Sequence, residues 1–209
     1  MKISACPSKI GFDASTYVTP ATAAKFYEAG YRFVFRYLNR TKAFRETPDN
    51  TWPISLSTQE LHELTDRGFA VGLVQFAGQC RDGAAKGESM VHNAQGIGVP
   101  VGAHLFCDAE GWPDVSWAHV QSYLAAWQTQ VRAAGYRAGL YVGPGVQWGD
   151  LYSLPGYDCY WRAASYTPPV HHRGYAITQG MQCGVFGQTI DQDICAYDHK
   201  RGRPCMVVK

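Results

Sequence analysis

The sequence predicts an α/β fold, a compact (β/α)8 barrel of the TIM type in which some of the later helices are short or missing. Short apolar runs alternate with longer helical patterns almost to the end of the chain, a rhythm typical of a parallel sheet covered by helices. Eight apolar runs fit within about 190 residues, too few for eight full helices but enough for a barrel. A chain of 209 residues that is 46% apolar can bury one sizeable core, so we expect a single domain, residues 1–209.

The first half of the predicted barrel alternates strands and helices regularly. Its strands are the runs KIGFD (9–13), RFVFRYL (32–38), FAVGLVQF (69–76) and VGAHLFCDAE (101–110). The first helix, residues 19–30, carries Pro20 near its first turn and Gly30 at its C-cap. After a polar loop, residues 39–56, Ser57 and Glu60 form a capping box that opens a second helix ending at Gly68. A third helix is predicted over residues 82–98.

The second half keeps the strands but loses the helices. One long helix, residues 116–134, precedes the fifth strand, and beyond that strand the helical patterns become short or vanish. The strands are the runs YRAGLYVG (136–143), DCYWRAA (158–164), GYAITQG (174–180) and GQTID (187–191). We therefore expect the later crossovers to be loops.

Composition and charge exclude several classes of protein. The 19 Lys and Arg against 17 Asp and Glu leave a formal net charge of +2 with no basic block, so we expect no nucleic-acid partner. No apolar run approaches the roughly 18 residues of a membrane span, so we expect no membrane insertion. The N-terminus lacks the apolar run of a secretory signal, which predicts synthesis in the cytoplasm without a signal peptide.

The cysteines and histidines do not predict a metal site. The seven cysteines are scattered and odd in number, and none is spaced as CxxC, so we expect mostly buried thiols. His171 and His172 lie in a Pro-rich loop with no acidic or cysteine partner close in sequence, a weak pattern for metal binding. His104 lies in the fourth strand and is expected to be a satisfied core group. We therefore expect no metal and no cofactor. We also expect the protein to be a monomer.

Acidic residues gather where the predicted strands end, and this is the most informative feature of the sequence. Asp13 ends the first strand, Asp108 and Glu110 end the fourth, and Asp191 with Asp193 end the eighth. Catalytic groups of such barrels lie at the C-terminal ends of strands, and strands one and eight are neighbours in a closed barrel. Asp108 and Glu110 are two residues apart, so their side chains leave on the same face. Each acid alone could be a helix cap or loop residue, but together they predict a shared polar pocket.

Asp193 and other polar and aromatic residues near the strand ends are candidate substrate-binding groups. Arg36 and Gln179 lie within strands, where such groups are costly unless paired, so they line the mouth or satisfy a buried carboxylate. We expect Arg36 to lie near Asp13. Aromatic residues could stack on sugar rings or belong to the core, and the candidates are Tyr37, Phe76, Trp112, Tyr141, Trp161 and Tyr166.

The chain resembles the family 25 glycoside hydrolases, the Chalaropsis-type lysozymes, and a related glycoside-hydrolase-like domain family of unknown function. The segments that carry the resemblance are GFDAS (11–15), LFCDAEG (105–111), YWRAASY (160–166) and AITQGMQCGVFGQTIDQD (176–193). They span nearly the whole chain. The chain departs from the lysozyme pattern at three positions: Ala14 stands where Val is usual, Gly180 where Tyr is usual, and Asp193 where Asn is usual. Its first half is more similar to the family of unknown function.

The resemblance implies cleavage of a β-1,4 glycosidic bond in bacterial peptidoglycan, next to N-acetylmuramic acid, as in a phage endolysin or an exported effector. A glycosidase needs one protonated carboxyl and one ionised carboxylate. We assign Glu110 as the acid, and expect Asp108 to stay ionised and to raise the pKa of Glu110. Asp13 and Asp191 then have supporting roles, orienting the substrate N-acetyl group or holding a water.

Other functions fit the sequence less well, with one exception. A chitinase-like pattern needs further acidic residues upstream, where Leu105 and Phe106 stand, and no GxSxG motif indicates a nucleophilic hydrolase. The alternative that stays open is a catalytically inactive barrel that binds glycan or serves as an envelope interaction module. Without a visible signal peptide, an enzyme of this kind would reach the cell wall or periplasm through a holin, lysis or a specialised secretion system.

Overall fold

A computed structural model describes residues 1–38, 55–151, 154, 156–165, 167–170 and 173–209. Most of the predicted loop 39–56 therefore lies outside the described residues, as do the candidate aromatic residue Tyr166 and the pair His171 and His172. None of the helices in the described part of the chain is both long and apolar enough to cross a bilayer.

Within these described residues, ten strands form one sheet, and eight of them close into a barrel. In chain order the strands are β1 (Lys2–Ala5), β2 (Ile10–Ala14), β3 (Phe33–Tyr37), β4 (Ala70–Phe76), β5 (His104–Ala109), β6 (Arg137–Val142), β7 (Tyr157–Arg162), β8 (Ile177–Val185), β9 (Gln188–Cys195) and β10 (Cys205–Val208). Neighbours from β2 to β8 run parallel, and pairing of β4 with β5 and of β2 with β9 completes the ring. The predicted α/β barrel is confirmed.

Four helices cover the first half of the barrel: α1 (Pro20–Glu28), α2 (Thr58–Arg67), α3 (Gly83–Gly96) and α4 (Trp117–Ala133). Thr19, Ser57 and Asp82 cap the first three by accepting a backbone N–H three residues on, which leaves fewer amides unpaired. Gly68 ends α2 with φ 104°, a conformation that favours glycine. Beyond β6 the described residues contain no further α-helix, as the sequence predicted.

The last barrel strand runs in the opposite direction to the one predicted. β8 and β9 form an antiparallel hairpin, and β9 is also antiparallel to β2. The prediction that Asp191 and Asp193 end a parallel eighth strand is therefore wrong, since both lie within β9. Asp191 still faces Asp13 across the β2–β9 pair, so the reversed strand brings it to the same end of the barrel. A bulge between Gln179 and Gln182 lets the hairpin project beyond the barrel.

Alternation along the strands sorts side chains into an outer and an inner core. Outward residues such as Phe12, Val34 and Leu105 pack against the helices. The inner core is an aromatic plug of Phe33, Phe35, Phe106 and Trp161. Inward-facing glycines make room for these rings: a Cβ added at Gly11, Gly72 or Gly139 would lie within 2.5 Å of Phe33, Phe35 and Phe106, respectively. The plug fills the middle of the barrel. An open polar layer lies above it, at the C-terminal ends of the parallel strands, which we call the mouth or upper end.

The lower end of the barrel is closed by two strands that the sequence analysis missed. β1 pairs with β10 along its whole length, and Val207 of β10 lies opposite Val71 of β4. His104 at the start of β5 accepts the backbone N–H of Cys205 at Nδ1 (2.8 Å), and its Nε2 lies 2.7 Å from Asp158 Oδ1. The expectation that His104 is a satisfied core residue is confirmed.

Candidate active site

The upper layer of inward-facing residues is polar, because the strand alternation that places aromatic rings in the middle of the barrel places acids above them. Asp13 lies two residues above Gly11, Tyr37 two above Phe35, and Asp108 two above Phe106. The members of this layer are Asp13, Tyr37, Asp108, Glu110, Tyr141, Gln179 and Asp191. The structure thus brings together the four acids predicted to converge, Asp13, Asp108, Glu110 and Asp191.

A chain of hydrogen bonds orients Asp13. The Tyr141 hydroxyl donates to Gln179 Oε1 (2.9 Å), and Gln179 Nε2 donates to Asp13 Oδ2 (2.8 Å). Both Asp13 and Tyr141 are buried, and the amide of Gln179 is half-buried. A tyrosine and a glutamine from two different strands therefore fix the direction of one carboxylate oxygen.

Asp193 lies one layer below Asp13 on β9. Trp161 Nε1 donates to Asp193 Oδ1 (3.0 Å), and the Asp193 carboxyl contacts that of Asp13. Asp193 is fully buried, and Trp161 is stacked on Phe35 with a centroid distance of 4.4 Å. These residues support the polar layer from beneath and do not line its open surface.

Asp108 occupies the opposite side of the mouth. The Tyr37 hydroxyl donates to Asp108 Oδ2 (3.0 Å), while the buried Oδ1 of Asp108 has no hydrogen-bond partner in the described part of the chain. Asp108 lies directly above the aromatic plug and is almost completely buried. It therefore acts on its neighbours through its charge or its proton, without an exposed surface of its own.

Glu110 is the most open of the predicted acids on the β5 side, because it lies just beyond the end of that strand. It is half-buried and lines a cleft of about 520 Å³ together with Phe76, Gln79 and Pro144. Three glycines, Gly78, Gly111 and Gly145, also line this cleft, and all three have φ between 66° and 72°. The absence of side chains there keeps the space beside Glu110 open.

Burial raises the pKa values of the carboxyls at the mouth, and the charges of neighbouring carboxylates raise several of them further. Burial raises the pKa of Asp191, and the hydrogen bond that Gln182 donates to it offsets part of that rise. Burial and the charge of Asp191 raise the pKa of Glu110. Burial raises the pKa of Asp13 to about 7, with the charges of Asp191 and Glu110 adding to it against the hydrogen bond from Gln179. Asp191 is therefore the first of these groups to ionise.

The deepest acids hold their protons most firmly. Burial and the charge of Glu110 raise the pKa of Asp108 well above its usual range, and burial with the charge of Asp13 does the same for Asp193. Within the described part of the chain, the charges that act on these acids are those of the other carboxyls. The mouth is consequently an acidic cluster that stores protons at neutral pH.

Metal binding is not indicated at this site. Among the described residues, no group of three or more His, Cys, Asp or Glu side chains has an arrangement that could hold a metal ion. The arrangement offers instead a protonated carboxyl beside an ionised one, which is the combination that acid-assisted bond cleavage needs.

Comparison with known families places the chain. The model of the Rv2525c-like, glycoside hydrolase-like domain matches residues 24–195, which include Asp108, Glu110 and Asp191. The chain belongs to this family. No curated protein has significant sequence similarity to it.

Solved structures of several bacterial proteins share the barrel. An uncharacterised protein from B. stearothermophilus superposes with a TM-score of 0.66 at 21% identity, covering 90% of this chain and 95% of that one. The Tat-secreted protein Rv2525c of Mycobacterium tuberculosis gives 0.64 at 16% identity, covering 91% and 96%. A family 25 glycosyl hydrolase from Bacillus anthracis gives 0.61 at 15% identity, covering 91% and 90%. At these identities the likeness concerns the fold, which is that of the family 25 glycoside hydrolases.

Three residues that were predicted to bind substrate do not line the mouth of the barrel. Arg36 faces the helices, not the pocket: its guanidinium donates to Ala14 O and to Glu60, with Nε 2.7 Å from Oε1. It therefore satisfies a buried carboxylate, one of the two roles expected of it, but that carboxylate is Glu60 and not Asp13. Trp161 and Asp193 are buried beneath the mouth and offer no surface to a substrate.

The remaining candidates lie at or beside the mouth. Tyr37, Tyr141 and Gln179 orient carboxylates through hydrogen bonds, and Phe76 lines the cleft. Trp112 is buried and donates to Gly78 O, so it supports a cleft-lining glycine and is not a sugar-stacking wall.

Two expectations about pairing also need correction. Asp191, and not Asp108, is the charge that raises the pKa of Glu110, and Asp108 itself holds its proton rather than staying ionised. Sequence reasoning missed Gln182, which pairs with Asp191 across the hairpin, because the β8 bulge that aligns them leaves no sequence signal. It also assigned Glu60 only to a capping box, whereas its carboxylate binds Arg36 and the backbone N–H of Val18.

Proposed function

We propose that the protein is a glycoside hydrolase that cleaves bacterial cell-wall peptidoglycan, with Glu110 as the general acid. The observation that carries this proposal is the position of Glu110, half-buried on an open cleft, with its pKa raised by burial and by the charge of Asp191. A carboxyl in this state is protonated when the ordinary surface acids are not. It is thus available to donate a proton to a leaving glycosidic oxygen.

Asp191 supplies the second carboxyl that the chemistry needs. It is the first carboxyl of the cluster to ionise, because it is only half-buried and Gln182 donates to it. When the glycosidic bond breaks, positive charge develops on the sugar ring, and an ionised carboxylate beside the ring stabilises that charge. The same negative charge keeps the proton on Glu110 until the leaving oxygen takes it.

Asp13 completes the proposed machinery. Gln179 holds one of its oxygens in place, and a pKa of about 7 lets it exchange a proton near neutral pH. A group of this kind can orient the N-acetyl substituent of the substrate or the attacking water. Tyr141 acts through Gln179 and is a positioning residue.

The substrate class is supported by proteins that share the barrel. The catalytic domain of an endolysin from a Listeria monocytogenes bacteriophage superposes with a TM-score of 0.55, and the Streptococcus pneumoniae autolysin LytC, solved with a synthetic peptidoglycan ligand, gives 0.59. We propose the same glycan for this chain, cleaved next to N-acetylmuramic acid. We place its action at the cell wall or periplasm, because a family structure comes from a Tat-secreted protein.

A second function is favoured by one observation and is an alternative. Asp108 is buried and holds its proton, and Asp13 is buried with a pKa of about 7, so part of the acidic cluster offers no ionised group to a substrate. A barrel in this state could bind glycan at the cleft beside Glu110 without cleaving it. That alternative predicts binding to insoluble peptidoglycan without release of fragments.

The test measures release of reducing ends and soluble muropeptides from purified peptidoglycan. The wild-type chain is compared with Glu110→Gln and Asp191→Asn, and with Glu88→Gln as a matched control on the exposed surface of α3. Circular dichroism and thermal unfolding confirm that each variant is folded. We expect Glu110→Gln to lower the rate by about 100-fold or more, as loss of a general acid does, and Glu88→Gln to leave it unchanged.

Two results would overturn the hydrolase proposal. One is a Glu110→Gln variant as active as wild type. The other is a folded wild-type chain that releases nothing from several wall types but sediments with insoluble peptidoglycan, a result that supports the binding module instead.

A further inference from the structure

A second buried carboxylate oxygen at the candidate site, besides Asp108 Oδ1, lacks an ordinary donor. Trp161 Nε1 donates to Asp193 Oδ1, but the buried Oδ2 of Asp193 has no hydrogen-bond donor among the residues that the structure describes. A carboxylate oxygen buried without a donor is unfavourable, and more so when it is charged. Besides Trp161, the group that the Asp193 carboxyl contacts is another acid, Asp13.

A contact between two carboxyls requires a proton. Two ionised carboxylates repel, and neither can donate a hydrogen bond. When one of them is protonated, its O–H donates to the other, and the pair becomes a stable hydrogen bond. A proton on Asp193 Oδ2 satisfies the unpaired oxygen and removes the repulsion from Asp13 in one step.

The surroundings place that proton on Asp193 and the charge on Asp13. Asp13 already accepts a hydrogen bond from Gln179 Nε2, which favours its ionised form, and it lies nearer to the open mouth. Asp193 is fully buried beneath it, where an ionised carboxylate is less favourable. The indole N–H of Trp161 donates to Oδ1 and favours the ionised form of Asp193, but burial outweighs that hydrogen bond and raises the pKa of Asp193.

We propose that Asp193 is a positioning residue that stays protonated at neutral pH and donates from Oδ2 to Asp13, which fixes the Asp13 carboxylate at the barrel mouth. The inference rests on the proposed function only for the role of Asp13 in hydrolysis, and the protonation of Asp193 is independent of it. Asp13 is then held by two groups, the amide of Gln179 on β8 and the carboxyl of Asp193 on β9.

The groups that face this pair explain its dependence on pH. Asp13 comes from β2 and Asp191 from β9, and their charges oppose ionisation of Asp193. Glu110, beyond β5, adds its charge at Asp13. As pH rises these acids ionise first, so the proton on Asp193 is held more tightly until the whole cluster is charged. At high pH its loss leaves two buried carboxylates in contact, and Asp13 is displaced.

The first experiment detects the proton itself. Infrared spectra at neutral pH record the C=O stretch of protonated carboxyls, which ionised carboxylates lack. We expect Asp193→Asn to lose the intensity of one protonated carboxyl relative to wild type. Asp158→Asn is the matched control, because Asp158 pairs with His104 at the other end of the barrel and should contribute no such band. Equal protonated-carboxyl intensity in wild type and Asp193→Asn overturns the proposal.

The second experiment tests positioning. Asn at position 193 keeps a donor that cannot ionise, whereas Leu has a similar size and no donor. We expect Asp193→Asn to retain muropeptide release and to extend it to higher pH, and Asp193→Leu to lower it by about 100-fold, as misplacement of a reacting group does. Equal losses in both variants overturn the positioning role. If the wild-type chain proves inactive, the hydrolase proposal fails, and the infrared result still decides the protonation of Asp193.

Discussion

The acids at the barrel mouth and the acids elsewhere in the molecule are buried in different company. Outside the mouth, buried acids have positive partners: Glu60 binds Arg36, and Asp198 Oδ2 lies 2.8 Å from Arg173 Nε. At the mouth, the partners of Asp13, Asp108 and Asp193 among the described residues are neutral donors and other acids. The first arrangement stabilises the fold, while the second stores protons at a cost to stability.

This difference distinguishes structural from functional acids. A buried ion pair has its charges compensated and holds two elements together, as Arg36 and Glu60 hold β3 against α2. Uncompensated acids persist where their perturbed protonation has a use, which makes the mouth the candidate site on physical grounds. Substitutions in the two regions should therefore have different effects. Loss of a structural ion pair should lower the free energy of unfolding, whereas loss of an acid at the mouth should change how that free energy depends on pH.

The largest effect is expected from breaking the structural ion pair. Glu60→Ala leaves the buried guanidinium of Arg36 without its carboxylate, and removes the acceptor of the Val18 N–H. We expect the free energy of unfolding to fall by about 3–5 kcal/mol, measured by chemical denaturation. Glu28→Ala is the matched control, because the Glu28–Arg67 pair is exposed and should contribute about 0–1 kcal/mol. Equal losses in the two variants would show that burial of the pair does not matter.

The next effect concerns pH and the mouth. The pKa of Asp13 is raised from 3.8 to about 7, so the folded state binds a proton that the unfolded state has lost. The stability from this proton is complete below the unfolded pKa and is lost as pH rises through about 7, at up to about 1.4 kcal/mol per pH unit. Asp13→Asn should flatten that slope in denaturation curves recorded from about pH 4 to about pH 8. Parallel slopes for wild type and variant would contradict the stored proton.

A smaller effect of opposite sign is expected at the lower end. Burial acts to raise the pKa of Asp158, but the hydrogen bond and charge of His104 outweigh it and lower the pKa. Asp158 therefore contributes stability above its unfolded pKa that is lost as pH falls. Because its side chain is 37% exposed, solvent screens the pair, and Asp158→Asn should cost only about 0.5–1 kcal/mol at neutral pH. A loss that grows as the solution is acidified would contradict this sign.

The barrel and most of its acids could be predicted from the sequence because two periodicities carry them. Apolar runs alternating with capped helical patterns gave the strands and the four helices, and the position of Asp13, Asp108 and Glu110 at strand ends placed them at the mouth. The same alternation also predicts on which side of its strand Arg36 lies. It stands between Phe35 and Tyr37, which face inward, so period two puts it outside.

What could not be predicted depends on strand direction and on pairing between distant segments. Nothing local in residues 187–191 shows that β9 runs antiparallel, so Asp193 was assigned to the substrate surface, whereas it lies beneath it. β1 and β10 pair only because the two ends of the chain meet below the barrel. The order of ionisation depends on relative burial, which a sequence does not record.

The most direct test of the account is a site-resolved NMR titration of the side-chain carboxyls. We expect Asp191 to ionise first within the cluster, followed by Glu110 and then Asp13. Asp108 and Asp193 should keep their protons beyond neutral pH, while Asp158 should titrate below its usual range. In Asp191→Asn the pKa of Glu110 should fall toward its ordinary value. Ordinary pKa values at all five positions of the mouth, or a Glu110 titration unchanged by Asp191→Asn, would contradict the central claim that this end of the barrel is a proton-storing acidic site.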